Sequence, residues 1–303
     1  MTLLRALADP ALAGLVWPVL AAGLAIALMG APLSVLVVLK RLSFAGQGVS
    51  HAGFAGVGLA TALGLAGAAE SPAHAWARLA VVLGVCLAAT LGIARLTRRG
   101  AAHAHADTAI GIVLVFAMAL GAMLVHLAVR AGRPAGPGWE SILFGSIVAV
   151  GPADAAAAWL VAAVVLLALA AARRPLLFWA FDEPAAEAFG VPVAPMKYLL
   201  FVLVALVIVA AMKLAGVVLA TAMLVLPGAA ALVLSDRFSR VLLLSLAIAA
   251  ACAVGGIALA FELDLPAGAC IVGALAGVYA AARALAWLRA PSARPPTIAP
   301  ADA

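Results

Sequence analysis

The chain has 303 residues, of which 68% are hydrophobic and only 10% charged, and its mean hydropathy is +1.25. Soluble domains carry about 45–50% apolar residues, so the polar side chains are too few to cover a water-facing surface and a soluble enzyme is excluded. The formal charge of +6 does not point to nucleic acid either, because the basic residues lie at the ends of apolar runs rather than in one patch.

The first apolar run, residues 12–39, is too long for a signal-peptide core and has no clear small-residue cleavage site, so it reads as a membrane helix. Further runs follow at 48–67, 76–96, 108–129, 155–172, 197–212, 214–234, 241–261 and 268–288, which predicts an all-α polytopic bundle of about nine membrane helices, within eight to ten. The short stretch 139–150, closed by Gly151-Pro152, reads as a half helix or re-entrant segment. The bundle is expected to form one membrane domain over 1–290, with the Pro- and Ala-rich residues 291–303 a disordered tail. With the N-terminus outside, 13 of the 18 basic residues fall in inside loops and 5 outside, which favours a cytoplasmic C-terminus.

The most informative stretch opens the second helix. Lys40 and Arg41 lead into Ser43, Gln47 and His51, which share a helix face at four-residue spacing, beside a small-residue stripe of Gly48, Ala52 and Gly56. Small residues let helices approach closely in lipid, and an imidazole in a membrane needs a partner or a watered path. His51 is thus a pathway candidate, with Gln47 as a weak neutral ligand; the competing reading is a packing hydrogen bond. His103, His105 and Asp107 form a His-rich loop in which Asp107 better fits an N-cap than a metal ligand. Cys86, Cys252 and Cys270 lie singly in apolar runs and read as small buried hydrophobes.

The longest polar break encloses residues 181–190, where Asp182 suits an N-cap, Glu183 and Pro184 a first turn, and Gly190 a stop; Ala186 and Glu187 lie between. This predicts a short helix outside the membrane, either a docking element or an ordinary loop helix. Near the end, Glu262 and Asp264 precede Pro266, at the mouth of a cation path or in a solvated turn. In the last helix Gly273 and Gly277 continue a small-residue packing face. There is no GxxxxGK[ST] phosphate loop, so ATP, if used, is bound by another chain.

Taken in order, these stretches resemble the permease family of zinc, manganese and iron ABC importers, over residues 12–286. Residues 41–51 are similar to its R-x-(S/A)-x-x-G-D-x-x-(S/A)-H, residues 107–112 read D-T-A-I-G-I, and residues 181–192 are similar to F-D-P-E-x-A-x-A-x-G-x-P. The run 216–227 ending in Leu226-Pro227, and residues 264–268, complete the set. The resemblance implies a multi-pass permease of the bacterial cytoplasmic membrane, itself no enzyme and holding no permanent cofactor. It implies a second permease copy or paralogue, cytoplasmic ABC ATPase subunits that use ATP, and an extracytoplasmic metal-binding protein that delivers zinc, manganese or iron. The helix at 182–190 becomes the coupling helix seated on the ATPase. Alternating access would then admit the ion near Asp264 and pass it by His51 and Gln47. Two positions depart from the family pattern: Gln47 stands where it has aspartate, removing an anionic ligand, and Glu183-Pro184 reverses its Pro-Glu order. The alternatives are an importer of a metal chelate, which needs a wider path, and an ATPase-independent secondary transporter, which should carry more intramembrane charge.

Overall fold

A computed structural model describes residues 10–65, 72–96, 103–133, 145 and 150–289. Apart from residues 145 and 150, the segment 139–150 lies outside the described residues, as does the tail 291–303. The described chain is helical: α1 (Pro10–Leu39), α2 (Ser43–Ala62), α3 (Pro72–Leu96), α4 (His103–Arg130), α5 (Pro152–Ala171), α6 (Arg173–Phe181), α7 (Glu183–Ala188), α8 (Val193–Met223), α9 (Leu226–Leu234), α10 (Phe238–Leu263) and α11 (Ala267–Arg289). No strand occurs among the described residues.

Among the described residues eight helical stretches are long and apolar enough to cross a bilayer, and α2 is not one of them. At 20 residues it is long enough, but its glycines, serines, Gln47 and His51 make it too polar to face lipid. The bundle resolves this by enclosing it: 13 of its residues are buried, against α3, α4 and α8. The apolar α1 is the other interior helix, 72% buried over its span where peripheral α4 is 17% buried. It packs on α5, α8, α9 and α10, and α8 touches both neighbourhoods, so α8 joins the α2–α3–α4 group to the α1 group. Large apolar side chains stand exposed on the outer helices, among them Phe116, Leu160, Leu167 and Leu243, as a lipid-facing surface requires.

Where helices meet, side chains are small and backbones close. The Ser245 hydroxyl donates to the Ala31 carbonyl at 2.9 Å, and the Ser34 hydroxyl donates to the same oxygen at 2.7 Å, so α1 and α10 are held by buried polar bonds. A Cβ on Gly228 would lie 2.5 Å from the carbonyl carbon of Ser34, and one on Gly58 would lie 2.7 Å from the carbonyl oxygen of Gly121. Backbone meets backbone at both contacts. Gly48 and Gly56 lie on the same buried side, the first against Ile110 and the second against Val82, with Ala52 buried between them. Gly273 and Gly277 behave differently: both are exposed and open, so the small-residue face of α11 packs against nothing in the described chain. The four-residue spacing reports that a face is smooth, not which neighbour covers it.

Three sequence expectations shift. Helix α4 begins at His103, so the His-rich loop is helical backbone and Asp107 lies inside the helix rather than at its cap. The spans expected at 197–212 and 214–234 become Val193–Met212 and Gly216–Leu234, separated where Gly216 takes φ 65° inside α8. The second is itself interrupted at Leu224 and Val225 before α9, since Pro227 has no N–H to bond the Met223 carbonyl four residues back. Ahead of the expected short helix, the polar break also contains α6, pinned by buried Leu176, Trp179 and Ala180.

Long-range contacts fix which helix ends share a face. Lys40, at the end of α1, reaches Glu183 in α7, so those two ends lie on one face. The Arg133 guanidinium donates to the Ala62 carbonyl, joining the ends of α4 and α2 on the opposite face. Ala substitution at Gly58 or Gly228 is expected to lower the stability of the purified protein by about 1–3 kcal/mol, whereas Gly273→Ala leaves it unchanged or slightly raised, because that position is open and alanine favours helix; thermal unfolding in detergent measures all three.

Candidate functional site

The polar stripe of α2 faces the one side of that helix that its neighbours leave open. Gln47 is exposed, Ser43 and His51 are partly so, and Ser50, Ala52 and Gly53 beside them are buried. Sequence position explains the arrangement: one helical face carries the residues too polar for a tight seam, and the adjacent face carries those small enough for it. Among the described residues the His51 side chain forms no hydrogen bond or ion pair, which leaves both ring nitrogens available.

His51 and Gln47 alone do not make a metal centre. No group of three or more His, Cys, Asp or Glu side chains gathers among the described residues. The cysteines do not supply one, since all three are buried and Cys86 Sγ lies 3.7 Å from the Val49 carbonyl oxygen. Any ion held at the α2 stripe therefore needs donors beyond these two side chains.

The carboxylates Glu262 and Asp264 are in another part of the molecule. Both are exposed at the end of α10, where Asp264 adopts the left-handed conformation (φ 54°) and the Leu265 N–H returns to the Ala260 carbonyl at 3.2 Å. Helices α10 and α11 pack on one another, on α1, α8 and α9, while α2 packs on α3, α4 and α8. The chain does not bring these carboxylates to His51. What it builds around them is an exposed helix-terminating turn.

The 181–190 region forms a compact polar element. The Ala185 N–H donates to Asp182 Oδ1 at 2.9 Å, capping α7, and Gly190 ends it with φ 79°. Ala186 is fully buried and anchors the short helix, while Glu183, Glu187 and Gly190 are exposed. Phe189, 79% exposed, meets Phe178 at 5.8 Å with the rings tilted by 48°, and exposed Phe181 pairs edge-on with Phe238 at 5.7 Å. An acidic edge flanked by exposed aromatic rings is suited to a protein partner.

One group at this element escapes a sequence reading. Lys40 counts there only as a basic residue setting topology, yet its ammonium is 2.7 Å from Glu183 Oε2, donates to the Trp179 carbonyl at 3.2 Å and lies 4.3 Å from the centre of the Trp179 ring. Lys197, at the head of α8, is close enough to interact electrostatically with both Glu183 and Lys40. The only signal in the sequence was the reversed Glu183-Pro184 order, which puts a carboxylate at the first position of α7.

The chain is similar to known proteins along most of its length. The sequence is 34% identical over 236 residues, 78% of this chain and 75% of the relative, to the manganese transport system membrane protein MntC of Halalkalibacterium halodurans. It is 33% identical over 240 residues, 79% of this chain and 76% of the relative, to the chelated iron transport system membrane protein YfeC of Yersinia pestis. The fold matches that of PsaBC from Streptococcus pneumoniae in complex with Fab with a TM-score of 0.73 and 28% identity, covering 88% of this chain and 90% of that one. Residues 13–286, nearly the whole described bundle, match the ABC 3 transport family; the chain is a member of that family.

Proposed function

We propose that the chain is the membrane-spanning permease of an ABC importer that carries a divalent transition-metal ion, manganese or iron before zinc, into the cytoplasm by alternating access. The observation that carries this reading is His51: an imidazole without a partner among the described residues, on the open side of a helix that is otherwise packed at backbone contact. Manganese and iron are put first because they are the metals in the names of the similar transport proteins. The same names favour this reading over a secondary transporter.

A single chain offers two donors at the stripe, so a second permease copy facing α2 would double the set to two imidazoles and two amides. Gln47 lowers the negative charge of such a site relative to the aspartate of the family pattern, and favours an ion that tolerates imidazole-rich coordination. Exposed Glu262 and Asp264 act at most as an electrostatic lure at the outer surface. The basic face carrying Lys40, Arg41, Arg173, Arg174 and Lys197 is the cytoplasmic one in this reading, which puts the C-terminal end of α11 there too. There α7 and the exposed phenylalanines seat a separate ATPase chain, which supplies the ATP hydrolysis. An extracytoplasmic metal-binding protein docks on the opposite face.

Proteoliposomes holding the chain with its ATPase should take up manganese or iron only when ATP is present on the ATPase side; uptake that persists without the ATPase rejects the importer reading. In that assay His51→Ala is expected to abolish uptake with assembly intact, and unaltered uptake would return His51 to a packing role. Gln47→Asp restores an anionic donor and should tighten metal binding to the assembled permease by about tenfold, equal to about 1.4 kcal/mol, as read by equilibrium titration.

A further inference from the structure

We propose that Lys40 is a positioning residue that ties the α7 element to the α1–α2 elbow, so that movement imposed on α7 is delivered to the helix carrying Gln47 and His51. The proposal rests on the permease reading above and specifies how one chain couples its two faces.

The geometry around Lys40 is more than a surface ion pair. Its side chain is 14% exposed, and its ammonium meets three groups at once: the Glu183 carboxylate at 2.7 Å, the Trp179 carbonyl at 3.2 Å and the face of the Trp179 ring at 4.3 Å. Exposed pairs contribute little because two flexible chains must be held in one geometry for a gain that water screens. Here the tryptophan is 1% exposed, on the same short helix as buried Leu176 and Ala180, so it offers the lysine a buried ring face and excludes water from one side of the pair.

The link on the other side is equally short. Arg41 takes φ 55°, in the left-handed region that non-glycine residues seldom occupy. The Arg41 N–H bonds the Val38 carbonyl at 3.0 Å and the Leu42 N–H bonds the Val37 carbonyl at 2.9 Å, closing α1 in a Schellman turn. Only Lys40, Arg41 and Leu42 separate α1 from α2, and a turn fixed by two backbone bonds has little slack. From Ser43, His51 lies eight residues on, about 12 Å along the helix axis. A pull on Glu183 is thus transmitted through one ion pair and one rigid elbow to the polar stripe.

Alpha7 has one buried residue, Ala186, and among the described residues it packs mainly on α6 and the start of α8, so it is held at few points. An element held at few points with one charged tether to the gate helix suits a moving part. The tether depends on charge, not on volume: methionine at position 40 would fill the same space beside Trp179 without attracting Glu183.

The experiment uses the complete permease–ATPase complex in proteoliposomes and measures metal taken up per ATP hydrolysed, with co-purification of the ATPase as the assembly readout. Lys40→Met is expected to lower that ratio by about tenfold, within the usual range of coupling between sites, while the ATPase still co-purifies and hydrolyses ATP, and Glu183→Gln is expected to lower the ratio as much in the complexes it forms. The double variant should be no worse than either single one, and Lys40→Arg should retain most of the ratio. Glu183 is exposed, so its variant is informative even if Lys40→Met fails to fold. An unchanged ratio in Glu183→Gln, or loss of the ATPase from the complex in that variant, overturns the proposal; the second result would assign the pair to docking instead. Unaltered protein that hydrolyses ATP but moves no manganese, iron or zinc would overturn the permease reading, and this one with it, before any variant is made.

Discussion

The architecture turns on a single conflict: α2 carries the polar stripe of Ser43, Gln47 and His51 and is therefore too polar for lipid. A bilayer interior offers no water to satisfy glycine-exposed backbone, serine hydroxyls or an imidazole. The helix survives at membrane depth because α3, α4 and α8 cover it, and they cover it closely because its facing residues have almost no side chains. At Gly58 and Gly56 the neighbouring backbones of α4 and α3 come within what would be Cβ contact distance. The small-residue face is thus the condition that allows the polar face to exist. The surrounding helices can be nearly featureless aliphatic rods, since their task is to separate α2 from lipid.

A second consequence concerns rigidity. Packing at backbone contact leaves α2 little freedom relative to α3 and α4, so those three helices are suited to move as one body. Helix α8 borders both that group and the α1 group, and it is broken at Gly216, with a further break between it and α9 at Leu224 and Val225. The breaks lie between the two packed groups, where a change in their relative position has to be absorbed. The Lys40 cradle sits at the other junction, the α1–α2 elbow. The molecule therefore has a rigid polar group, an interior apolar group, and two connections between them, one jointed and one tied by charge.

Charge in this chain is concentrated where helices end, and its placement has local meaning beyond orientation. Asp182 caps α7, Asp154 accepts from the Gly151 N–H at 2.9 Å at the start of α5, and Arg133 satisfies the carbonyl end of α2. Arg133 also joins two separate elements, and Lys40 does so with an ion pair across 143 residues of sequence. Such a pair has no local signature: nothing in the neighbourhood of either residue announces the other.

The sequence by itself determined that the chain is a helical membrane bundle, because hydropathy is additive along the chain and needs no knowledge of neighbours. It likewise placed Ser43, Gln47 and His51 on one face of α2 and Gly48, Ala52 and Gly56 on the next, because helical periodicity is local. Asp182 and Gly190 were legible as helix ends for the same reason. What it left undetermined was everything requiring a second element. It gave the same smooth stripe to α2 and α11, yet α2 is enclosed and Gly273 and Gly277 stand open. It offered Glu262 and Asp264 as an entry mouth and His51 as a later point on the path, and only the packing says that the carboxylates sit at the end of α10, on helices other than those that enclose α2. It recorded Lys40 as one basic residue among 18, and only the fold brought it against Trp179 and Glu183. Periodicity specifies the faces of each helix; which faces meet depends on close packing across distant segments, and that is decided in three dimensions.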